Sequence, residues 1–203
     1  MESNGVEIVE RTRAYDGYFK IDRWRVRHKL FDGGISAEIR REVFERGHAV
    51  AVILYDPARD ALVLIDQFRI GALSAGFDPW VTEIVAGVID PGETPEAVAR
   101  RETVEETGCT IVELIPICHY LVSPGCSSET VRLFCARVDS EGLGGVFGLK
   151  DEGEDIRVSV VPLERALEDL DAGRINTSLG IIAVQWVALN RSKLRARWNE
   201  AKT

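Results

Sequence analysis

The 203-residue chain lacks an excess of basic residues: 25 Lys and Arg stand against 33 Asp and Glu, a net charge of −8. That balance argues against a nucleic-acid or membrane-surface binder, which needs a basic footprint. It leaves room for an anionic small molecule wherever arginines or metal ions offset the charge locally. Long apolar runs are also missing. The longest, such as "AVAVILY", fall far below the roughly 20 residues of a membrane span, and the opening "MESNGVEIVERTR" is polar and acidic with no signal core. No CxxC pair occurs. Cys109, Cys118, Cys126 and Cys135 lie 8 or 9 positions apart, and His28, His48 and His119 show no zinc spacing. Four reduced, mostly buried thiols in a cytoplasmic protein are the expectation. Prolines and glycines are scattered, so no stretch reads as a flexible linker, and there is no internal repeat or low-complexity tract.

What is present suggests a layered α/β or α+β domain. A hydrophobic fraction of 45% supports a sizeable core. Up to about Arg46 the chain reads as short strands: in "WRVRHKL", Trp24, Val26, His28 and Leu30 alternate with Arg23, Arg25, Arg27 and Lys29. "HAVAVILYD" and "ALVLIDQFR", joined by "PARD", predict an antiparallel pair. "GALSAGFDP" reads as loop and "WVTEIVAGVI" as one further strand. "IVELIPICHYLV" and "ETVRLFCARV" flank the loop "SPGCSS", and "IRVSVVPL" follows the acidic loop "GLKDEGED". Two helices close the chain, the first with Leu163, Leu167 and Leu170 at helical spacing and Gly173 as its stop.

Between these strands lies "GVIDPGETPEAVARRETVEETGC". Thr94 and Pro95 suit an N-cap and first helical position, and Gly108 suits a left-handed C-terminal cap. A helix over Pro95 to Thr107 would have a thin apolar stripe of Ala97, Val98 and Val104. It would place Glu102, Glu105 and Glu106 on one face at i, i+3 and i+4, where like charges cost roughly 0.2–0.5 kcal/mol per pair. Two readings are open. The face is solvated, with Arg101 pairing Glu105, or the carboxylates hold a hard cation such as Mg2+ or Mn2+. Glu102 and Glu106 lack a basic i±4 partner, and the preceding turn can bring Ala86 and Gly87 to the same face.

The spacing Gly87, Glu93, Arg101-Glu102, Glu105-Glu106, Gly108 resembles the Nudix box, G-x5-E-x7-R-E-U-x-E-E-x-G-U. Seven fixed residues at fixed spacing arise by chance on the order of once in a million chains of average composition. Thr103 departs from the pattern, standing where the family usually has an aliphatic residue. Pro124, fifteen positions beyond Cys109, together with "REVFERGHA", "EIVAGVI", "LKDEGEDIRV" and "GRIN…IIAVQW", is similar to the bacterial ADP-ribose pyrophosphatase branch.

The resemblance implies an α/β/α Nudix sandwich with a mixed sheet over residues 47–203, and a small antiparallel β domain over residues 1–46 that dimerises. It implies that Glu102, Glu106 and the Ala86 carbonyl hold two or more Mg2+ or Mn2+ ions, with Glu105 assisting, while Glu93 and Arg101 orient the loop. Arg69 would contact the diphosphate, Tyr18 the adenine and Glu129 a ribose hydroxyl. Arg41, with Glu42 beside it, would reach in from the second subunit of a homodimer. Glu152 in the acidic loop would take the proton of the attacking water, with Glu154 as runner-up. The implied reaction splits ADP-ribose into AMP and ribose 5-phosphate. The rivals are another nucleoside diphosphate sugar (GDP-mannose or a UDP-sugar) and a non-catalytic nucleotide sensor. The box is intact and no basic helix–turn–helix is present, which disfavours the sensor.

Overall fold

A computed structural model describes residues 5–199, with the side chains of Glu152 and Asn199 outside the described residues. The chain divides into two compact units, Met1–His48 with Tyr120–Thr130, and Ala49–His119 with Val131–Thr203.

The smaller unit is built on three antiparallel strands, β1 (Val6–Asp16), β2 (Lys20–His28) and β3 (Ile39–Glu45), in the order β1-β2-β3. Its stability does not follow from the alternation read in "WRVRHKL", because Arg25 and Arg27 are as half-buried as Trp24 and Val26. The anchor is Asp22, buried on β2. Arg13 and Arg11 both hydrogen-bond its carboxylate and hold it below the usual range against the cost of burial. Arg11 also lies 4.5 Å over the Trp24 ring. The segment 120–130 joins this unit through backbone bonds, Phe44 N–H to Cys126 O at 2.7 Å and Ser128 N–H to Phe44 O at 3.2 Å.

The larger unit is a mixed eight-stranded sheet with helices on both faces. β4 (Ala49–Asp56) and β5 (Ala61–Phe68) form the expected antiparallel hairpin. Asp56 tightens its turn. Burial opposes its ionisation, yet bonds from the Ser140 hydroxyl and N–H and from the Arg59 and Ala58 N–H groups bring its pKa down to about 2. The two strands then diverge. β5 pairs β6 (Trp80–Glu83) at Ile65–Phe68, while β4 pairs β7 (Val85–Val88) at Ala49–Val52. "WVTEIVAGVI" is therefore two strands wedged into a fork and broken at Ile84. β9 (Thr130–Arg137) runs parallel to β4, with β8 (Glu113–Leu121) beyond it. β11 (Ile156–Pro162) and β10 (Gly145–Phe147) extend the other side. "GALSAGFDP" contains a one-turn helix, α1 (Ile70–Ser74), rather than only loop.

Side chains of β4 alternate between two cores. Val50, Val52 and Leu54 pack with Val98 and Ala99 of α2 (Pro95–Thr107). Tyr55 faces the buried Trp198 of α4 (Ser178–Asn199), ring centroids 6.1 Å apart. α3 (Leu163–Asp171) packs against β11, β5 and α4. Two thiols correct the expectation of burial: Cys118 and Cys126 are exposed, Cys109 and Cys135 buried, all four free.

The Thr94 hydroxyl accepts the Ala97 N–H at 3.2 Å, and Gly108 adopts φ 67°. The buried face is not the stripe read from the sequence, since Ala97 and Val104 are exposed. Val98, Ala99, Thr103, Glu106 and Thr107 are buried instead. The rows 98-102-106 and 99-103-107 thus face inward, and the polar residues in them flatten the amphipathic signal. Thr103 fits its buried position by donating its hydroxyl to Ala99 O at 2.7 Å. Thr94→Ala should cost about 1 kcal/mol through loss of the cap, whereas Thr103→Val should change stability by less than about 1 kcal/mol because no buried group loses its sole partner. Urea-melt midpoints at unchanged slope read both effects.

Candidate active site

Where strand β7 and helix α2 meet, the Glu102 side chain fills the space over Gly87. A Cβ placed on Gly87 would lie 1.9 Å from Glu102 Oε1 and 2.4 Å from its Cγ, so any larger residue here displaces the Glu102 side chain. One residue back, the Ala86 N–H donates to Glu106 Oε2 at 3.3 Å. The helix face carrying the two carboxylates is therefore pressed against backbone at the fork of the sheet.

The ion pairs around this face are unevenly shared. Arg101 grips Glu93 with Nε and Nη2, both at 3.2 Å, and sends Nη1 to Glu102 at 2.9 Å and Glu105 at 3.0 Å. Glu93 also accepts the Asp90 N–H at 3.3 Å, which closes the turn before the helix. One guanidinium thus serves three carboxylates, and its own pKa is pushed up, chiefly by Glu93. Glu106 is left out. It is 3% exposed and, among the described residues, has no basic hydrogen-bond partner. Burial, then the charge of Glu102, push its pKa up to about 9 against the Ala86 N–H, with Glu154 adding to the rise and Arg69 opposing it. Burial likewise raises Glu102, with Arg101 opposing and Glu105 and Glu154 adding. Glu106 therefore keeps its proton at neutral pH when nothing compensates its charge.

Among the described residues no group of three or more His, Cys, Asp or Glu side chains stands ready to hold a metal ion. Arg101 contributes to this by drawing Glu102 and Glu105 to itself. The donor chemistry nonetheless fits a hard divalent cation: two desolvated carboxylates, adjacent backbone and an uncompensated negative charge. Binding a cation reverses the cost that keeps Glu106 protonated.

Two more residues named from the sequence reach this neighbourhood by their charge. Glu154 accepts the Leu149 N–H at 2.9 Å and adds to the pKa rise of both Glu102 and Glu106. Glu152 closes a single 3-10 turn, Lys150–Glu152, and its side chain lies outside the described residues. Arg69, at the start of α1, donates Nε to Glu83 Oε2 at 2.7 Å. Glu83 was missed by sequence reasoning, although a carboxylate inside the otherwise apolar "WVTEIVAGVI" was a usable signal.

The remaining named residues belong to the smaller unit. Tyr18 is 93% exposed and meets Phe19 edge-on at 4.8 Å. Arg41 is exposed and, among the described residues, donates to the Arg40 carbonyl at 2.7 Å. Glu42 pairs with Arg23 at 3.0 Å. Glu129 is buried and pairs with Arg46 at 3.0 Å, and Arg46 lies 5.9 Å over the Phe19 ring. Arg46 had no distinguishing mark among the arginines of its segment.

Comparison with known proteins places this geometry. The NUDIX domain family model matches residues 45–179. An ADP-ribose pyrophosphatase of Escherichia coli is 45% identical over 195 residues, 96% of this chain and 93% of that protein. The Haemophilus influenzae ADP-ribose pyrophosphatase is 39% identical over 199 residues, 97% of this chain and 92% of that one. A GDP-mannose pyrophosphatase from an Enterobacter strain is 30% identical over 191 residues, 91% of this chain and 96% of that one. A solved structure of an ADP compounds hydrolase superposes with a TM-score of 0.67 at 21% identity, covering 93% of this chain and 97% of that one, a likeness of fold. The helix that carries Glu102, Glu105 and Glu106 lies inside the matched segment, and the chain belongs to the Nudix family.

Proposed function

We propose that this chain hydrolyses the pyrophosphate bond of ADP-ribose, adding water to give AMP and ribose 5-phosphate, with divalent metal held at Glu102, Glu106 and the backbone of Ala86. The observation that carries it is the buried Glu106 beside the half-buried Glu102 at Gly87, where, of the two, Arg101 reaches only Glu102. The choice of substrate is supported by relatives at 45% and 39% identity named ADP-ribose pyrophosphatase, against 30% for one named GDP-mannose pyrophosphatase. A GDP-mannose or UDP-sugar activity is the second reading. The metal, when bound, supplies Lewis-acid charge to the diphosphate and acidifies a water. Mg2+ is the natural ion for this oxygen-rich set, with Mn2+ able to replace it.

The chain's own residues do the rest. Arg69, held at Nε by Glu83, presents its Nη groups to phosphate oxygens. Glu105 assists the metal-holding carboxylates, while Glu93 and Arg101 orient the box helix and its entry turn. The attacking water's proton goes to Glu152, or to Glu154 if the acidic loop sets differently. Tyr18 and Glu129 would hold the adenosine, and Arg41 with Glu42 would act from a second copy in a homodimer. The exposed, loosely bonded Arg41 is compatible with that role.

Offered ADP-ribose, GDP-mannose and a UDP-sugar with Mg2+, the protein should release AMP and ribose 5-phosphate and prefer ADP-ribose by at least about tenfold in kcat/KM. A preference for GDP-mannose would overturn the substrate, and tight binding without turnover would favour a sensor. Glu106→Gln should lower kcat by orders of magnitude while remaining folded. Glu152→Gln should lower kcat and leave ADP-ribose binding largely intact, and an unaffected rate moves the base to Glu154. The metal-free wild type should lose stability as pH rises from the ordinary glutamate range towards about 9, since the folded state then retains a proton that the unfolded state releases. Glu106→Gln should flatten that slope in melts recorded across the pH range.

A further inference from the structure

Glu83 is 8% exposed at the end of β6, where the sheet forks. A buried carboxylate needs a partner, and its Oε2 accepts from two: Arg69 Nε at 2.7 Å and Gln67 Nε2 at 3.3 Å. Gln67 is itself buried on β5. The backbone of Arg69 is fixed as firmly. Its N–H donates to Pro79 O at 2.7 Å, and its carbonyl accepts from Ala72 N–H at 3.1 Å and Leu73 N–H at 3.3 Å. A planar guanidinium tethered at Nε and at its backbone has little rotational freedom left. No hydrogen bond from either of its Nη atoms is found among the described residues, and they are free for a ligand. Arg69 and Glu83 open on a cavity of about 310 Å³ whose apolar wall is Ala72, Phe77 and Val81.

The arrangement is poor value as a stabilising ion pair. Arg69 is about half exposed while Glu83 is desolvated, and such pairs return little stability. Its effect is on direction. Arg69 lies near enough to Glu106 to favour that group's ionised form, yet it does not bond it. Arg101 shows the alternative, spreading itself over Glu93, Glu102 and Glu105. Glu83 gives Arg69 a nearer carboxylate, bonded at Nε.

We propose that Glu83, braced by Gln67, is a positioning residue that holds Arg69 by Nε, keeps it from collapsing onto the box carboxylates and aims its two Nη groups at the substrate diphosphate. This rests on the reading that Arg69 meets a diphosphate, and it makes Glu83 act wholly through Arg69.

The test is a double-mutant cycle read by calorimetric binding of ADP-ribose to the metal-free protein in EDTA, with kcat/KM in Mg2+ as a second reading. Glu83→Gln should weaken binding by about tenfold, the loss of one charge-assisted contact's worth of orientation. Arg69→Ala should weaken it at least as much, and adding Glu83→Gln to Arg69→Ala should change it by less than about twofold. Millimolar guanidinium should partly restore Arg69→Ala and not the double variant, because the ion needs the Glu83 seat. Equal losses in both backgrounds, or wild-type binding by Glu83→Gln, would overturn the proposal. If Glu83→Gln does not fold, Glu83→Asp keeps the charge and shortens the reach. An intermediate loss supports the role and wild-type binding refutes it. If the wild type handles a different nucleoside diphosphate sugar, the substrate reading fails alone and the same cycle is run with that sugar.

Discussion

The structure depends on one close approach, helix α2 against the backbone of Ala86 and Gly87. Because no Cβ stands at position 87, Glu102 comes within van der Waals reach of the strand, and Glu106 sits one turn further on against the Ala86 N–H. Two carboxylates are thereby desolvated side by side, and burial multiplies a repulsion that would be slight on an exposed helix. The surrounding features respond to that strain on charge. Arg101 relieves Glu102 and Glu105, Glu93 holds Arg101, and Glu106 resorts to keeping a proton. The sheet fork supplies the geometry: β4 and β5 separate, β6 and β7 fill the gap, and their break at Ile84 delivers Glu83 to one side and Gly87 to the other.

Much of this was legible in the sequence where local chemistry decides the outcome. Thr94, Pro95 and Gly108 mark the helix ends by capping rules that need no tertiary context, and they mark Pro95–Thr107 correctly. The β4–β5 hairpin follows from two β-branched runs and a short polar turn. The buried face of α2 was not legible, because the usual signal is an apolar stripe. Here the inward rows carry Glu102, Glu106, Thr103 and Thr107, while Val104 points outward. A helix that buries its functional groups looks, by hydrophobicity, like one that buries nothing.

The other misses share a physical cause. "WVTEIVAGVI" reads as one strand because a break at an apolar residue leaves no Gly or Pro mark, and the fork that demands it is a property of β4 and β5. Asp22, Glu83 and Glu129 are buried charges, and their burial is licensed by arginines that only the fold brings to them: Arg11 and Arg13, Arg69, and Arg46. Those pairs form across strands and turns, so no helical or strand periodicity along the chain announces them. Likewise the segment 120–130 joins the N-terminal unit through backbone bonds of Cys126 and Ser128 with Phe44 that composition does not announce.

If Glu106 holds the proposed cation, it must surrender the proton that burial favours in the metal-free protein. Titrating Mn2+ into metal-free protein at pH 7.5, by calorimetry in two buffers of different ionisation enthalpy, counts protons released per ion. With a Glu106 pKa of about 9, the wild type should release close to one proton attributable to this group, and Glu106→Gln should bind weakly and release none. Tight Mn2+ binding without proton release, or equal binding and release by the two proteins, would contradict the account.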